Sequence, residues 1–480
     1  MIGTASRKKN SGYRKRTTFN TFVRAVATAA ATTTTTTEIS GGTFLLAHSH
    51  SPYTTVHALK ASSSVFASRI GRSNFDIPSG STISNKRTRG VMFSSLSNSQ
   101  DKKVDTNTSH RPLEALCLAT LRACEAVTPA VEALYQSISE SNENAQQKTT
   151  KTKADDSVFT IADGLVQFLL TEILLGKQVG AIVGEEDCEV NLKQKPYVVD
   201  DFVVPTEFEE SIDQAIQGVK LARDGLPDES LYQSLTAFID PIDGTREFST
   251  QKGEQCSICV GFADTETGKP VAGVVYRPLS HPHTTWAVGA KAESYAASSL
   301  LSVDKTNDRQ GSLLTTNGRI SPFLDSLMKE LNYDRVPSGG AGNKMLMLLE
   351  GKGTAYIQDR GVSRWDTCGA QAVLEAHGGV LCKLDCFLQG DDESSISYTY
   401  RKTEQNLDFE PGKARLTKYN AQKGIDAQAD SMAMIPSDVK PYANLCGLLA
   451  LGQPYNNEKK KKAILSGLKR ATEVSPPAFD

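Results

Sequence analysis

The chain is expected to fold as a layered α/β (α+β) protein, because helical and strand patterns are mixed along it rather than segregated. Three observations carry this. Apolar residues at helical spacing open the folded part, short apolar runs bounded by turn residues follow, and strands and helices alternate in the later half. Leu113, Leu116, Cys117, Leu121, Cys124, Val127 and Val131 predict an amphipathic helix beginning at Pro112. The polar stretch 137–154 predicts a loop. Val166, Leu169, Leu170, Ile173 and Leu174 make one face of a helix over 161–175, and Gly176 ends it. Apolar runs at 179–183, 235–239, 257–262, 271–276 and 286–288 predict strands. A strand at 313–316, helices at 322–331 and 344–350, a strand at 354–357 and a helix at 367–377 follow. Polar stretches within 187–230 and at 389–418 predict surface loops, and the lysines at 459–462 a solvated helix end. This order divides the chain into a head (1–110), a first half (111–295), a second half (296–455) and a tail (456–480). There is no internal repeat.

Composition narrows the function class. The 480 residues carry a formal net charge of −2, which hides a split. Residues 1–110 hold 15 Lys/Arg against four Asp/Glu, leaving 38 and 51 for the rest. An acidic body argues against a partner that is a nucleic-acid polymer. No run of about 18 apolar residues occurs, so no membrane-spanning helix is expected. Nine cysteines over this length are no disulfide scaffold. The head is rich in Ser, Thr, Ala and Arg and has no acid before Glu38. That is transit-peptide composition, and it predicts a disordered targeting segment for a plastid or a mitochondrion. A head without an address would leave the chain cytoplasmic.

Carboxylates recur where predicted strands end or helices begin. Glu185 and Glu186 follow the run ending at Val183, Asp240-Pro241-Ile242-Asp243-Gly244-Thr245 follows the run ending at Ile239, and Asp366 precedes a predicted helix. Acids crowded at a buried strand end repel one another and call for a cation, and hard ions such as Mg²⁺ take oxygen ligands. Pro241 and Gly244 suit a turn in which Asp240, Asp243 and the Ile242 carbonyl face one ion, with the Thr245 hydroxyl orienting a water. Each piece has a plainer alternative. Asp366 suits an N-cap, and Asp163 in Thr160-Ile161-Ala162-Asp163 suits a capping box. Their joint occurrence in order favours a site.

The strings AIVGEE (181–186), DPIDGTREF (240–248) and WDTCGAQAVLEAHGG (365–379) resemble the inositol monophosphatase superfamily, the lithium-sensitive Mg²⁺-dependent phosphatases. SGGAGNKMLMLLEGKGTAY (338–356) and GKPVAGVVYRPL (268–279) are most similar to its 3′(2′),5′-bisphosphate nucleotidase branch. The resemblance spans about 112–448 and implies an α-β-α-β-α sandwich. It implies hydrolysis of the 3′-phosphate of adenosine 3′,5′-bisphosphate to AMP, with 3′-phosphoadenylyl sulfate, giving adenylyl sulfate, as a further substrate. It implies two or three Mg²⁺ ions held by Glu185, Asp240, the Ile242 carbonyl, Asp243 and Asp366. Asp163 and Thr245 match the pair that activates water, and Gly340 and Lys344 match nucleotide contacts. Arg319 stands where the branch often carries a substrate-packing His. The rival enzyme readings are an inositol polyphosphate 1-phosphatase or an inositol monophosphatase. The rival from another class is a degenerate nucleotide or metal sensor, against which the complete carboxylate set counts.

Two other motifs are set aside. Cys256 and Cys259 have CxxC spacing but fall in a predicted strand, where residues three apart face opposite sides. Residues 338–344 lack the glycine spacing and the hydroxyl residue of a Walker A loop. Oligomeric state and regulation leave no trace in the sequence.

Overall fold

The computed structural model describes residues 111–140, 150–152, 158–301, 311–360, 362–390, 396–401 and 443–479. The predicted disordered head, and most of the predicted loop at 389–418, lie outside them. Helix α1 (Pro112–Glu140) extends into the stretch read as a loop, because Leu134 and Ile138 continue its buried face. Strands β1 (Thr150–Thr152) and β2 (Val158–Thr160) pair antiparallel and lead into α2 (Ile161–Phe168), which continues as a π-helical segment, Leu169–Leu175. β3 (Ala181–Gly184) follows. The stretch 187–230 is more than surface loop. It forms a small sheet of β4 (Val190–Asn191), β5 (Val198–Val199) and β6 (Phe202–Val203), then α3 (Glu209–Asp224). Ile212, Ala215, Val219 and Ala222 form the buried stripe of α3, which packs on α1.

The first large sheet holds β7 (Leu235–Asp243), β8 (Ser257–Asp264), β9 (Pro270–Arg277), β10 (Thr285–Ala290) and β11 (Tyr295–Ser298), in the order β11-β10-β9-β8-β7-β3. A short helix, α4 (Thr245–Ser249), follows β7. β3 runs parallel to β7 and the other pairs are antiparallel. The second half contributes β12 (Ser312–Thr315), α5 (Pro322–Leu331), β13 (Asp334–Pro337), α6 (Ala341–Glu350), β14 (Ala355–Gln358), β15 (Val362–Ser363) and α7 (Arg364–Ala376). β16 (Val380–Lys383), α8 (Leu384–Gln389), β17 (Ala443–Asn444), β18 (Leu448–Leu451) and α9 (Glu458–Val474) complete it. Its sheet runs β13-β12-β14-β18-β16. The segment read as a tail is therefore an integral helix. Ile464, Leu468 and Ala471 of α9 are buried with Phe323 and Leu327 of α5.

Alternation along the strands builds the layers. In β7, Leu235, Ala237 and Ile239 pack with α1 and α2, while Phe238 faces the other way. In the second sheet, Leu314, Tyr356, Leu448 and Ala450 share that inner layer with residues of α6 and α7, and Leu313, Ile357, Leu449 and Leu451 face α5 and α9. The result is an α-β-α-β-α sandwich. Its middle layer is tight because α7 meets the first sheet through glycine: a Cβ on Gly369 would lie 2.5 Å from the Val260 carbonyl oxygen, and one on Gly261 2.2 Å from Gly369 N.

Candidate active site

The carboxylates meet because two parallel strands end side by side. Gly184 of β3 pairs with Ile239 of β7, and the next residue, Glu185, donates its N–H to the Ile239 carbonyl at 3.1 Å. Asp240 shares the inward face of Phe238. Asp243, three residues on, would face away in a regular strand. The register shifts between Asp240 and Asp243, and the irregularity turns both carboxylates toward α7. Ligand atoms of Asp240, Asp243 and Asp366 all lie within 4.8 Å of one another. Residues 240–243 of the DPIDGT string are thus a bulged extension of β7 rather than a turn; Gly244, at φ 98°, leaves the strand, and Thr245 opens α4. Asp366 is likewise no N-cap. Ser363 is the cap, and its N–H donates to Asp366 Oδ2 at 2.6 Å. Glu185 lines one cavity with Asp243 and Asp366 but stands outside the trio.

The electrostatics are those of a site built for a cation. Burial, then the charges of Glu185, Asp243 and Asp366, push the Asp240 carboxyl well above the usual carboxylate range. Burial also raises Asp243, opposed by Lys344 and by hydrogen bonds from the N–H groups of Ala341 (2.9 Å) and Gly342 (2.6 Å) and from the Ser257 hydroxyl (3.0 Å). Asp240 Oδ1 is buried and has no hydrogen-bond partner among the described residues. An all-oxygen trio with such an atom fits a hard divalent cation. The Ile242 carbonyl, expected as a further oxygen ligand, accepts from the Thr245 hydroxyl at 3.0 Å.

Asp163 is a capping residue that also reaches Thr245. Its Oδ2 accepts from Thr160 N at 2.8 Å and Thr160 Oγ1 at 2.5 Å, while its Oδ1 accepts from Thr245 Oγ1 at 3.2 Å. The capping box at the start of α2 therefore aims a fully buried carboxylate at the residue that follows the DPIDG bulge.

Lys344 is buried rather than solvated, at 4% exposure, with Nζ 4.9 Å from the Tyr356 ring centroid. Burial lowers its pKa, and Asp243, Glu247 and Asp366 oppose that shift. Gly340, at φ 63°, lets the chain enter α6 past Asp243: a Cβ there would lie 3.0 Å from Asp243 Oδ2. Arg319 is exposed and lines the same cavity, of about 760 Å³, that holds Glu185, Asp243, Lys344 and Asp366. That volume suits a small-molecule ligand.

Sequence reasoning missed the residues that hold these segments. Asn317 Nδ2 donates to Glu247 Oε1 (2.9 Å) and Gln255 Oε1 (2.7 Å), and Gln255 Oε1 also accepts from Gly339 N (2.7 Å). Arg335 donates to the carbonyls of Thr316 (2.9 Å) and Gly318 (2.7 Å). Glu247, inside the DPIDGTREF string, was the one signal available for this network. Cys256 and Cys259 are buried free thiols. Among the described residues, the aspartate trio is the one Asp/Glu/His/Cys group of metal-ligand size.

The sequence pattern of the inositol monophosphatase family matches residues 118–408. The chain belongs to the inositol monophosphatase family. It is a phosphatase of that family, and the motif strings above all fall within the matched span. It is 27% identical over 250 residues to the 3′(2′),5′-bisphosphate nucleotidase 1 of Mus musculus, covering 49% of this chain and 73% of that protein. It is 29% identical over 183 residues to the Golgi-resident adenosine 3′,5′-bisphosphate 3′-phosphatase of Rattus norvegicus, covering 36% and 47%. A crystal structure of inositol monophosphatase-II from Staphylococcus aureus overlaps it with a TM-score of 0.41 at 16% identity, covering 76% of this chain and 98% of that one.

Proposed function

We propose that this phosphatase is Mg²⁺-dependent and removes the 3′-phosphate of adenosine 3′,5′-bisphosphate, giving AMP and phosphate. One observation carries the reading: Asp243 and Asp366 of the trio line one cavity of about 760 Å³ with Glu185, Lys344 and Arg319, and the third member, Asp240, lies within 4.8 Å of both aspartates. Asp240, Asp243 and Asp366, with Glu185 beside them, would hold the metal. When bound, Mg²⁺ supplies charge neutralisation at the phosphoryl oxygens and lowers the pKa of bound water. Asp163, through its contact with Thr245, would take up the proton of the attacking water. Lys344 and the turn at Gly340 would hold the non-reacting phosphate, and Arg319 would meet the base by stacking. The names of the mouse and rat relatives support the nucleotide, while a Drosophila melanogaster relative at 27% identity is named a putative inositol monophosphatase 3.

Phosphate release by the full chain, measured with adenosine 3′,5′-bisphosphate, inositol 1,4-bisphosphate and inositol 1-phosphate, tests this. A kcat/KM at least tenfold higher for the nucleotide is expected, and a preference for either inositol substrate would overturn it. We also propose that residues 1–110 direct the chain to a plastid or mitochondrion and are dispensable for catalysis, since every site residue lies beyond them. A reporter fused to 1–110 should leave the cytosol, and a chain starting at 111 should keep its kcat.

A further inference from the structure

Gln167 lies one turn after Asp163 on α2, and its side-chain amide closes a two-bond ring with the backbone of Glu186. Nε2 donates to the Glu186 carbonyl at 2.5 Å, and Oε1 accepts from the Glu186 N–H at 2.8 Å. A side chain here does what a neighbouring strand would do, just where β3 has ended. The preceding residue, Glu185, is still tied to β7 through its own N–H and the Ile239 carbonyl. The backbone of Glu185 is thus held on both sides, the peptide before it by β7 and the peptide after it by α2. Gly184 completes the arrangement, since a Cβ there would lie 2.4 Å from Gln167 Oε1.

We propose that Gln167 is a positioning residue for the metal centre: it fixes the backbone that presents Glu185 toward Asp240. Because Gln167 and Asp163 share a short buried helix, the clamp also ties the proposed proton acceptor to the ligand cluster. The inference rests on the metal reading above. Residues that orient a ligand without touching the ion commonly change metal affinity 10–100-fold when removed.

The test measures Mn²⁺ binding to the full chain by electron paramagnetic resonance of the free ion, without turnover. Gln167→Glu keeps size and the Oε1 acceptor but loses the Nε2 donor and sets a carboxylate against the Glu186 carbonyl. Gln167→Met keeps the length and loses both bonds. Gly184→Ala leaves Gln167 intact and pushes its amide aside. Each folded variant is expected to bind Mn²⁺ roughly 10–100-fold more weakly, while KM for phosphate ester at saturating metal stays within about twofold. Folding is checked by the circular dichroism of the metal-free chain, and Gln167→Glu, the closest in shape, serves if the others unfold. Unchanged Mn²⁺ affinity in a folded Gln167→Glu chain would overturn the proposal while leaving the metal reading standing. A wild-type chain that binds no Mn²⁺ would remove both.

Discussion

Asp240 sits where a carboxylate is costly: it is 1% exposed and faces Glu185, Asp243 and Asp366. Its folded pKa lies above the ordinary 3.8, so the folded chain binds this proton more tightly than the unfolded one. Stability from the group is full below that ordinary value and is lost as pH rises through the folded pKa. Without metal, this cost grows as pH rises above the ordinary value. Asp240→Asn is therefore expected to raise the melting temperature of the chelated protein by several degrees, while abolishing phosphate release. Calorimetry with excess chelator checks this, and a lower melting temperature for the variant would count against it. Asp163→Asn probes a different balance. An amide keeps Oδ1 as acceptor for the Thr160 pair and offers Nδ2 to Thr245 Oγ1, so the capping box and stability should survive. If Asp163 takes the proton, kcat should fall roughly 10²–10⁴-fold at unchanged melting temperature. A near-normal kcat would leave Asp163 as a cap alone.

At the scale of elements, legibility followed burial pattern. The helix at 161–175 and the central strands of the first sheet were readable because their apolar residues repeat with one period. The carboxylate strings were readable too, although their shape was not. DPIDGT holds turn residues, yet β8 pairs with it and draws it into the sheet as a bulge. α3 was missed because its apolar stripe is only Ile212, Ala215, Val219 and Ala222 amid charged neighbours, enough to pack on α1. β13 (DRVP) is an edge strand with little apolar content, and β18 (LLAL) is a run too short to classify by period. The loop that carries Arg319 was legible as a candidate, but not what holds it, since Asn317 is far in sequence from Glu247 and Gln255. Asn317→Asp places a carboxylate oxygen against two acceptors at unchanged size. Losing these bonds, at about 1–2 kcal/mol, should raise KM for the nucleotide roughly tenfold and change kcat less than about threefold. A fall in kcat with constant KM would show that the bridge serves the chemistry and not the substrate loop.

For the whole molecule, the site is a seam. Asp240 and Asp243 come from the first sheet, and Asp366 from the helix packed between the two sheets. Asp243 also grips the start of α6 through two N–H groups. A cation binding here engages the sandwich across its middle layer, so its binding energy is expected in global stability rather than in one loop. A ligand held at a hundred times its Kd adds about 2.7 kcal/mol, which for a chain of this size is a shift of a few degrees. Mg²⁺ should therefore raise the melting temperature of the full chain in a single cooperative step. Ca²⁺ should raise it as well, because it takes the same oxygen donors, yet support phosphate release poorly, since its longer and looser coordination misplaces the phosphate. Asp366→Asn should remove most of the shift with either ion, although the residue lies more than 120 positions from Asp243. Thermal melts of both chains across a metal titration decide the matter. A wild-type shift that persists undiminished in Asp366→Asn would show that the ion binds to the first sheet alone, and that the two halves are joined by packing rather than by the metal.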